Sequence, residues 1–174
     1  MRAVVECVPW QPARYRYLLH VALTGSERDT APHPVLTVIQ KNPSLADAKR
    51  SDPTAGKVEA WTRRHGFAAI IYVNLFALRS PDPCAVNDVG EAEAIGAEND
   101  AAIARACAAA DVIVAAWGNP NGIDAARYTA RSAAVCRHLE AAGYALHRVG
   151  ALTRLGFPRH GLHWNGSAPL HRWR

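Results

Sequence analysis

The side chains best suited to chemistry in this chain are asparagines that follow apolar runs and histidines in a polar segment near its end. Asn42 follows an apolar run in KNPS, Asn74 follows another in VNLF, and His160 and His163 share the segment RHGLH. An asparagine amide can orient a water or read a ligand edge that carries a complementary donor and acceptor. Near neutral pH a histidine can move a proton or stabilise a developing anion. These residue types predict a site for a polar ligand, with catalysis as one use of it.

Five further side chains near these segments could bind a ligand. Phe76 and Trp117 carry flat rings that could stack on a planar group. Arg79 and Arg159 could meet an anion, and Ser44 adds a hydroxyl to the first polar segment. We take all five, together with Asn74 and His163, as candidate substrate-binding residues.

Most of these side chains also have a purely structural explanation. Asn42 precedes Pro43, and Asn-Pro is a common turn signal. The Asn74 amide could bond a neighbouring loop, and Trp117 could be a packed core residue beside a tight turn. The histidines could be partly exposed in a basic loop. Both kinds of explanation remain open on the sequence.

The sequence carries no recognisable metal or cofactor motif. His160 and His163 lie three residues apart without a helix signal, and no third ligand is obvious. The phosphate-binding motif GxxxxGK[ST], the dinucleotide motif GxGxxG, the nucleophile motif GxSxG and the zinc motif HExxH are all absent. We predict neither a metal nor a cofactor.

Alternating strands and helices position the candidate side chains. The expected strands span residues 17–23, 35–40, 67–73, 111–116 and 144–149, and the expected helices span residues 57–65, 98–110 and 123–142. Continuous apolar runs such as FAAIIYV at 67–73 are typical of strands covered on both faces. We predict one α/β domain over residues 1–174, a three-layer sandwich around a short, mostly parallel central sheet. Ligands of such sheets bind at the carboxyl ends of the strands.

The charge of the chain is concentrated near its end. The 174 residues carry a formal net charge of +5, with 20 lysines and arginines against 15 acidic residues. No acidic residue follows Glu140, whereas five arginines do. A basic segment of this kind indicates an anionic partner, such as a phosphate or nucleic acid. A solvated arginine-rich end is the alternative.

Composition excludes several classes of protein. The chain is 49% hydrophobic and 20% charged, which is typical of a globular rather than a disordered protein. No apolar run is long enough for a membrane span, and no secretory signal is evident at the start. The four cysteines lack CxxC spacing, which favours a reducing cytoplasm. Nothing in the sequence specifies the oligomeric state.

Several segments resemble a bacterial family known only as domain-of-unknown-function family 1643. They occur together and in the order of the family, from residue 14 to residue 173. The segments are NPSLADAKRSDPT (42–54), RRHGFAAIIYVNLFALRSPDP (63–83), GAEND (96–100), VAAWG (114–118) and LTRLGFPRHGLHW (152–164). This resemblance names no activity.

A more distant likeness is to the uracil-DNA glycosylase superfamily, through QKNPS (40–44), YVNLF (72–76), VAAWG (114–118) and PRHGLH (158–163). It implies an α/β sandwich with a short parallel sheet. Asn42 would then position the attacking water and Asn74 would read the base edge. His160 would stabilise the leaving base or the flanking anion, and Phe76 or Trp117 would stack on the ring of the base. Gln40 stands where those loops normally carry glycine.

Three functions follow as hypotheses. The first is a hydrolase of N-glycosidic bonds that acts on a nucleobase, nucleoside or nucleotide, with Asn42 and His160 as catalytic residues. The second is a non-catalytic module that binds a nucleotide or nucleic acid. The third is an enzyme for another, phosphorylated small molecule in a reshaped pocket.

Overall fold

The computed structural model describes residues 2–11, 13–23, 34–43 and 52–174, so Ser44 lies outside the described residues. Its strands are β1 Ala3–Val8, β2 Leu18–Ala22, β3 Val35–Gln40, β4 Ala69–Asn74, β5 Val112–Ala115, β6 Leu146–Val149 and β7 Leu170–Arg172. Its α-helices are α1 Pro53–Arg64, α2 Glu91–Ile95, α3 Asn99–Ala108 and α4 Ala125–Ala141. Short 3₁₀ turns span Pro83–Asp88 and Gly161–His163. The described part is therefore a mixed α/β fold.

The described strands form one sheet in the order β1-β2-β4-β3-β5-β6-β7. The four central strands β4, β3, β5 and β6 are parallel, whereas β1, β2 and β7 add antiparallel pairings at the two edges. The expectation of a short, mostly parallel sheet is thus correct only for its centre. Strands β1 and β7 were not predicted, because β1 is half exposed and β7 has only three residues.

Helices cover both faces of this sheet because alternate residues of the central strands are apolar on each side. On one face Val38 and Tyr72 pack with Val58 and Trp61 of α1. On the other face residues of β3, β4 and β5 pack with α3 and α4; examples are Ile39, Val73, Ile113, Ile103 and Leu139. The strand ends are consequently held rigidly between two layers of helices.

Helix α1 begins four residues before the predicted start at residue 57. Asp52 caps it by accepting a hydrogen bond from the Ala55 N–H at 2.7 Å, and Pro53 occupies the first turn. Proline is favoured there because its missing N–H would have no partner within the helix. The aspartate cap and the proline after it were the available sequence signal for this earlier start.

The order of the parallel strands creates a crevice at the carboxyl ends of β3 and β5. The chain leaves β3 through α1 to β4 on one side, whereas β5 leads through α4 to β6 on the other. Connections that leave neighbouring strands toward opposite faces open a gap, and ligands of α/β sheets bind there.

Among the described residues, no helix is both long and apolar enough to cross a bilayer.

Candidate functional site

Two adjoining cavities occupy this crevice. One has a volume of about 210 Å³ and is lined by Gln40, Lys41 and Asn42, among others; we call it the amide cavity. The other has a volume of about 320 Å³ and is lined by Arg154 and Arg159, among others; we call it the arginine cavity. Asn121, His160 and His163 line both cavities. The two spaces therefore meet along the histidine segment.

The Asn42 side chain is held in one orientation by the backbone around it. Its Nδ2 donates to the carbonyl oxygen of Ser80 at 2.9 Å and to that of Pro43 at 3.4 Å. Because both bonds use the nitrogen, the amide oxygen Oδ1 is left as the group available to a ligand or a water. Asn42 thus presents an oriented hydrogen-bond acceptor at the amide cavity.

His160 is a neutral hydrogen-bond donor at the same cavity. Its Nδ1 accepts a hydrogen bond from the Leu162 N–H at 3.2 Å, so the ring proton lies on Nε2. Burial, with smaller contributions from the nearby Lys41 and His163, lowers the pKa of His160 to about 4. At neutral pH the ring is uncharged, so it can donate a hydrogen bond from Nε2 but has no imidazolium proton to transfer.

Close packing of the loop that carries the segment RHGLH (159–163), which we call the late loop, places His160 against the end of β5. The Gly118 N–H donates to the Pro158 carbonyl at 3.0 Å. Gly161 lies so near α1 that a Cβ there would be 2.5 Å from Cγ2 of Val58. Trp164 is buried and packs edge-on against a tryptophan of α1. The loop is therefore fixed on both sides of the histidine.

Replacing Gly118 by alanine should displace His160. Gly118 has a φ of +70°, and an added Cβ would lie 2.8 Å from Cβ of His160. We expect a loss of about 1–3 kcal/mol in the free energy of unfolding, from strain together with the clash. Gly143→Ala is the matched control, because Gly143 also has a positive φ of +82° but no neighbour within 4 Å of the added Cβ. Chemical denaturation of both variants measures the difference, and equal losses would contradict the clash.

Three of the predicted binding residues lie in the core and line neither cavity. Asn74, Phe76 and Trp117 are all fully buried. Phe76 and Trp117 belong to the cluster beneath α3 and α4, so neither ring offers an open face on which a base could stack. The stacking role predicted for them finds no support in this packing. Nδ2 and Oδ1 of Asn74 have no hydrogen-bond partner among the described residues. In the parallel pairing of β3 with β4, Asn74 lies beside Gln40.

The remaining candidates divide between the cavities and their surroundings. Arg159 and His163 are exposed and line the arginine cavity. Arg79 is half-buried and lines neither cavity; burial lowers the pKa of its neighbour Arg16 to about 10, and the charge of Arg79 contributes to that shift. In the described part of the chain, no three His, Cys, Asp or Glu side chains form a group that could hold a metal ion.

Sequence reasoning missed Lys41 and Gln40 as site residues. Both side chains line the amide cavity, although Lys41 is only 3% and Gln40 only 8% exposed. Their position directly at the end of a buried strand was the available signal. A lysine at such a place is usually solvated, which is why its type alone did not indicate a ligand contact.

Comparison with known proteins identifies the family. Residues 16–162 match the family described as Protein of unknown function (DUF1643). The chain belongs to this family. No curated protein and no solved structure matches it. The resemblance of this DUF1643 member to the uracil-DNA glycosylase superfamily, in sequence and in fold, therefore stays a prediction.

Proposed function

We propose that this protein hydrolyses the N-glycosidic bond of a nucleotide or a related nucleobase compound. The observation that carries the proposal is that Asn42 and His160 line one cavity, one as an oriented acceptor and the other as a neutral donor. At about 210 Å³ this cavity is smaller than the roughly 300 Å³ at which pockets for drug-sized ligands begin. A cavity of that size suits a single planar base.

In this reaction the protein needs only to orient the attacking water and to stabilise the charge that develops on the leaving base. The bond between the sugar carbon and the base nitrogen breaks, and its electron pair leaves with the base. The sugar becomes oxocarbenium-like and is captured by a water that donates a hydrogen bond to Asn42 Oδ1; the water's proton passes to solvent. His160 Nε2–H stabilises the negative charge that develops on the base.

The arginine cavity supports a phosphate on the substrate. Arg154 and Arg159 line it, and its described lining contains no carboxylate. Arginine presents several N–H donors in a planar fork that matches phosphate oxygens. Because the two cavities meet at His160 and His163, one nucleotide could place its base in the first and its phosphate in the second.

Non-catalytic nucleotide binding is the second candidate function. Asp52 is the one carboxylate among the described residues that line either cavity, and its Oδ1 already caps α1. The described lining of the two cavities therefore contains no carboxylate that is free to act as a general base for the attacking water, which favours binding without turnover. The release of free base distinguishes the two candidates.

Chromatography of free bases after incubation with nucleoside 5′-monophosphates, the matching nucleosides and single-stranded oligonucleotides tests the proposal. We expect base release from a monophosphate at least about tenfold faster than from its nucleoside. The double variant Arg154→Gln/Arg159→Gln should lose that preference, whereas Arg137→Gln/Arg172→Gln, which changes two exposed arginines outside both cavities, should keep it. Tight binding without any release of base would leave only the second candidate.

A further inference from the structure

The Lys41 side chain is buried at the amide cavity, and among the described residues it has no acidic partner. The residue is 3% exposed. Among the described residues, no hydrogen bond or ion pair involves its side chain, and its Nζ lies over the Tyr128 ring, 5.8 Å from the ring centroid. Charged side chains in such places are normally paired, because removing a charge from water without a partner is unfavourable.

A second donor in the same cavity also lacks an acceptor. The Gln40 side chain is more than nine-tenths buried, lines the amide cavity, and has no hydrogen-bond partner for Nε2. Gly161 keeps this amide uncovered, because a Cβ at that glycine would lie 3.4 Å from Nε2. Lys41 and Gln40 thus both present hydrogen-bond donors without acceptors to the amide cavity.

Among the described residues, the charged groups around Lys41 do not supply the missing anion. His160 and His163 of the late loop are neutral or positive, and Tyr128 of α4 is held neutral because burial raises its pKa. Cys84 has a raised pKa, chiefly because of its hydrogen bond with Asp82, and so stays a thiol near neutral pH. Asp52 lines the same cavity but caps α1. Burial lowers the pKa of Lys41 to about 8, so at pH 7 the group is still protonated.

We infer that Lys41 and Gln40 form an oxyanion subsite inside the amide cavity, which binds a carboxylate, sulfate or phosphate group of the ligand. Lys41 supplies the charge and Gln40 a directed N–H. The substrate class narrows to nucleotides whose base itself carries an anionic group, such as a carboxylate, for this subsite, while the phosphate occupies the arginine cavity. The subsite deepens the proposed function, since it lies in the same cavity, but its existence does not require cleavage.

Nitrogen NMR of the lysine side chains tests the subsite directly. The chain has three lysines, and Lys41→Met assigns the Lys41 Nζ signal. In wild-type protein this signal should titrate near pH 8. Saturating acetate or sodium sulfate should raise that midpoint by at least about one pH unit, so the anion should bind about tenfold more weakly at pH 10 than at pH 7. A shift with acetate alone indicates a subsite for a carboxylate, and a shift with sulfate indicates one for larger oxyanions.

Two variants locate the anion. Lys41→Met should abolish the pH-dependent part of sulfate or acetate binding, whereas Lys57→Gln, which changes an exposed lysine of α1, should retain it. Arg154→Gln/Arg159→Gln removes the other anion site and should leave the Lys41 response intact. A Lys41 signal that neither anion moves, or unchanged anion binding in Lys41→Met, would overturn the inference. Anion binding at Lys41 without release of base would overturn only the proposed function.

Discussion

Replacing Asn42 by alanine should reduce kcat for base release by at least about 100-fold while the affinity for the nucleotide changes little. The amide oxygen of Asn42 acts on the attacking water, whereas the phosphate and the base are bound by other groups. Loss of water orientation therefore raises the barrier of the chemical step without removing ground-state contacts. Single-turnover rates and equilibrium dialysis separate the two effects.

The backbone geometry makes this variant a clean test. Asn42 is half-buried, and besides the amide oxygen alanine deletes only two hydrogen bonds that Nδ2 donates to carbonyl oxygens, one of them to Ser80. Asn165→Ala is a suitable control, because Asn165 is exposed and lines neither the amide nor the arginine cavity. A folded Asn42→Ala protein with wild-type kcat would exclude the proposed mechanism.

Replacing His160 by phenylalanine should lower kcat by about 10²–10³, the usual effect of removing one donor from a developing anion. In the wild-type protein kcat should be flat between about pH 5 and pH 8, because the pKa of His160 is about 4 and the ring stays neutral throughout. Activity should fall as the pH drops through 4, where protonation removes the Nδ1 acceptor used by the Leu162 N–H.

The same histidine should also control acid stability. Its pKa is about 4 in the folded protein against an ordinary value of 6.5, so between these values the unfolded chain binds more protons. The free energy of unfolding should therefore fall by up to about 3 kcal/mol as the pH decreases from 6.5 to 4. His160→Phe should remove that slope, and His138→Asn, at an exposed site on α4, should keep it. An activity profile governed by a group with pKa near 6.5 would contradict the neutral role.

The candidate catalytic residues could be found from the sequence because strands have a readable pattern. Mostly apolar runs identified β3 and β4, and Asn42 lies two residues after the end of β3. The segment RHGLH was visible as a polar break after the last parallel strand. Parallel strands end at one edge of a sheet, so local pattern was enough to predict that such residues approach one another.

The aromatic residues could not be assigned in the same way. Phe76 and Trp117 follow strands just as Asn42 does, yet both turn into the layer beneath α3 and α4. A large ring after a strand suits either a core or a stacking platform, and only the packing of the neighbouring layer decides between them. The same holds for Lys41, whose ammonium is buried by helices and loops distant in sequence.

Residue order alone thus determined the parallel strands at the centre of the sheet, the polar residues at their ends and the excess of positive charge after Glu140. These features depend on periodicity, turn signals and composition, which act over a few neighbouring residues. Tertiary structure decided the antiparallel edges, the neutral state of His160, the burial of Lys41 and the division into two cavities. Those properties depend on desolvation and close contact between segments far apart in the chain, which no local pattern encodes.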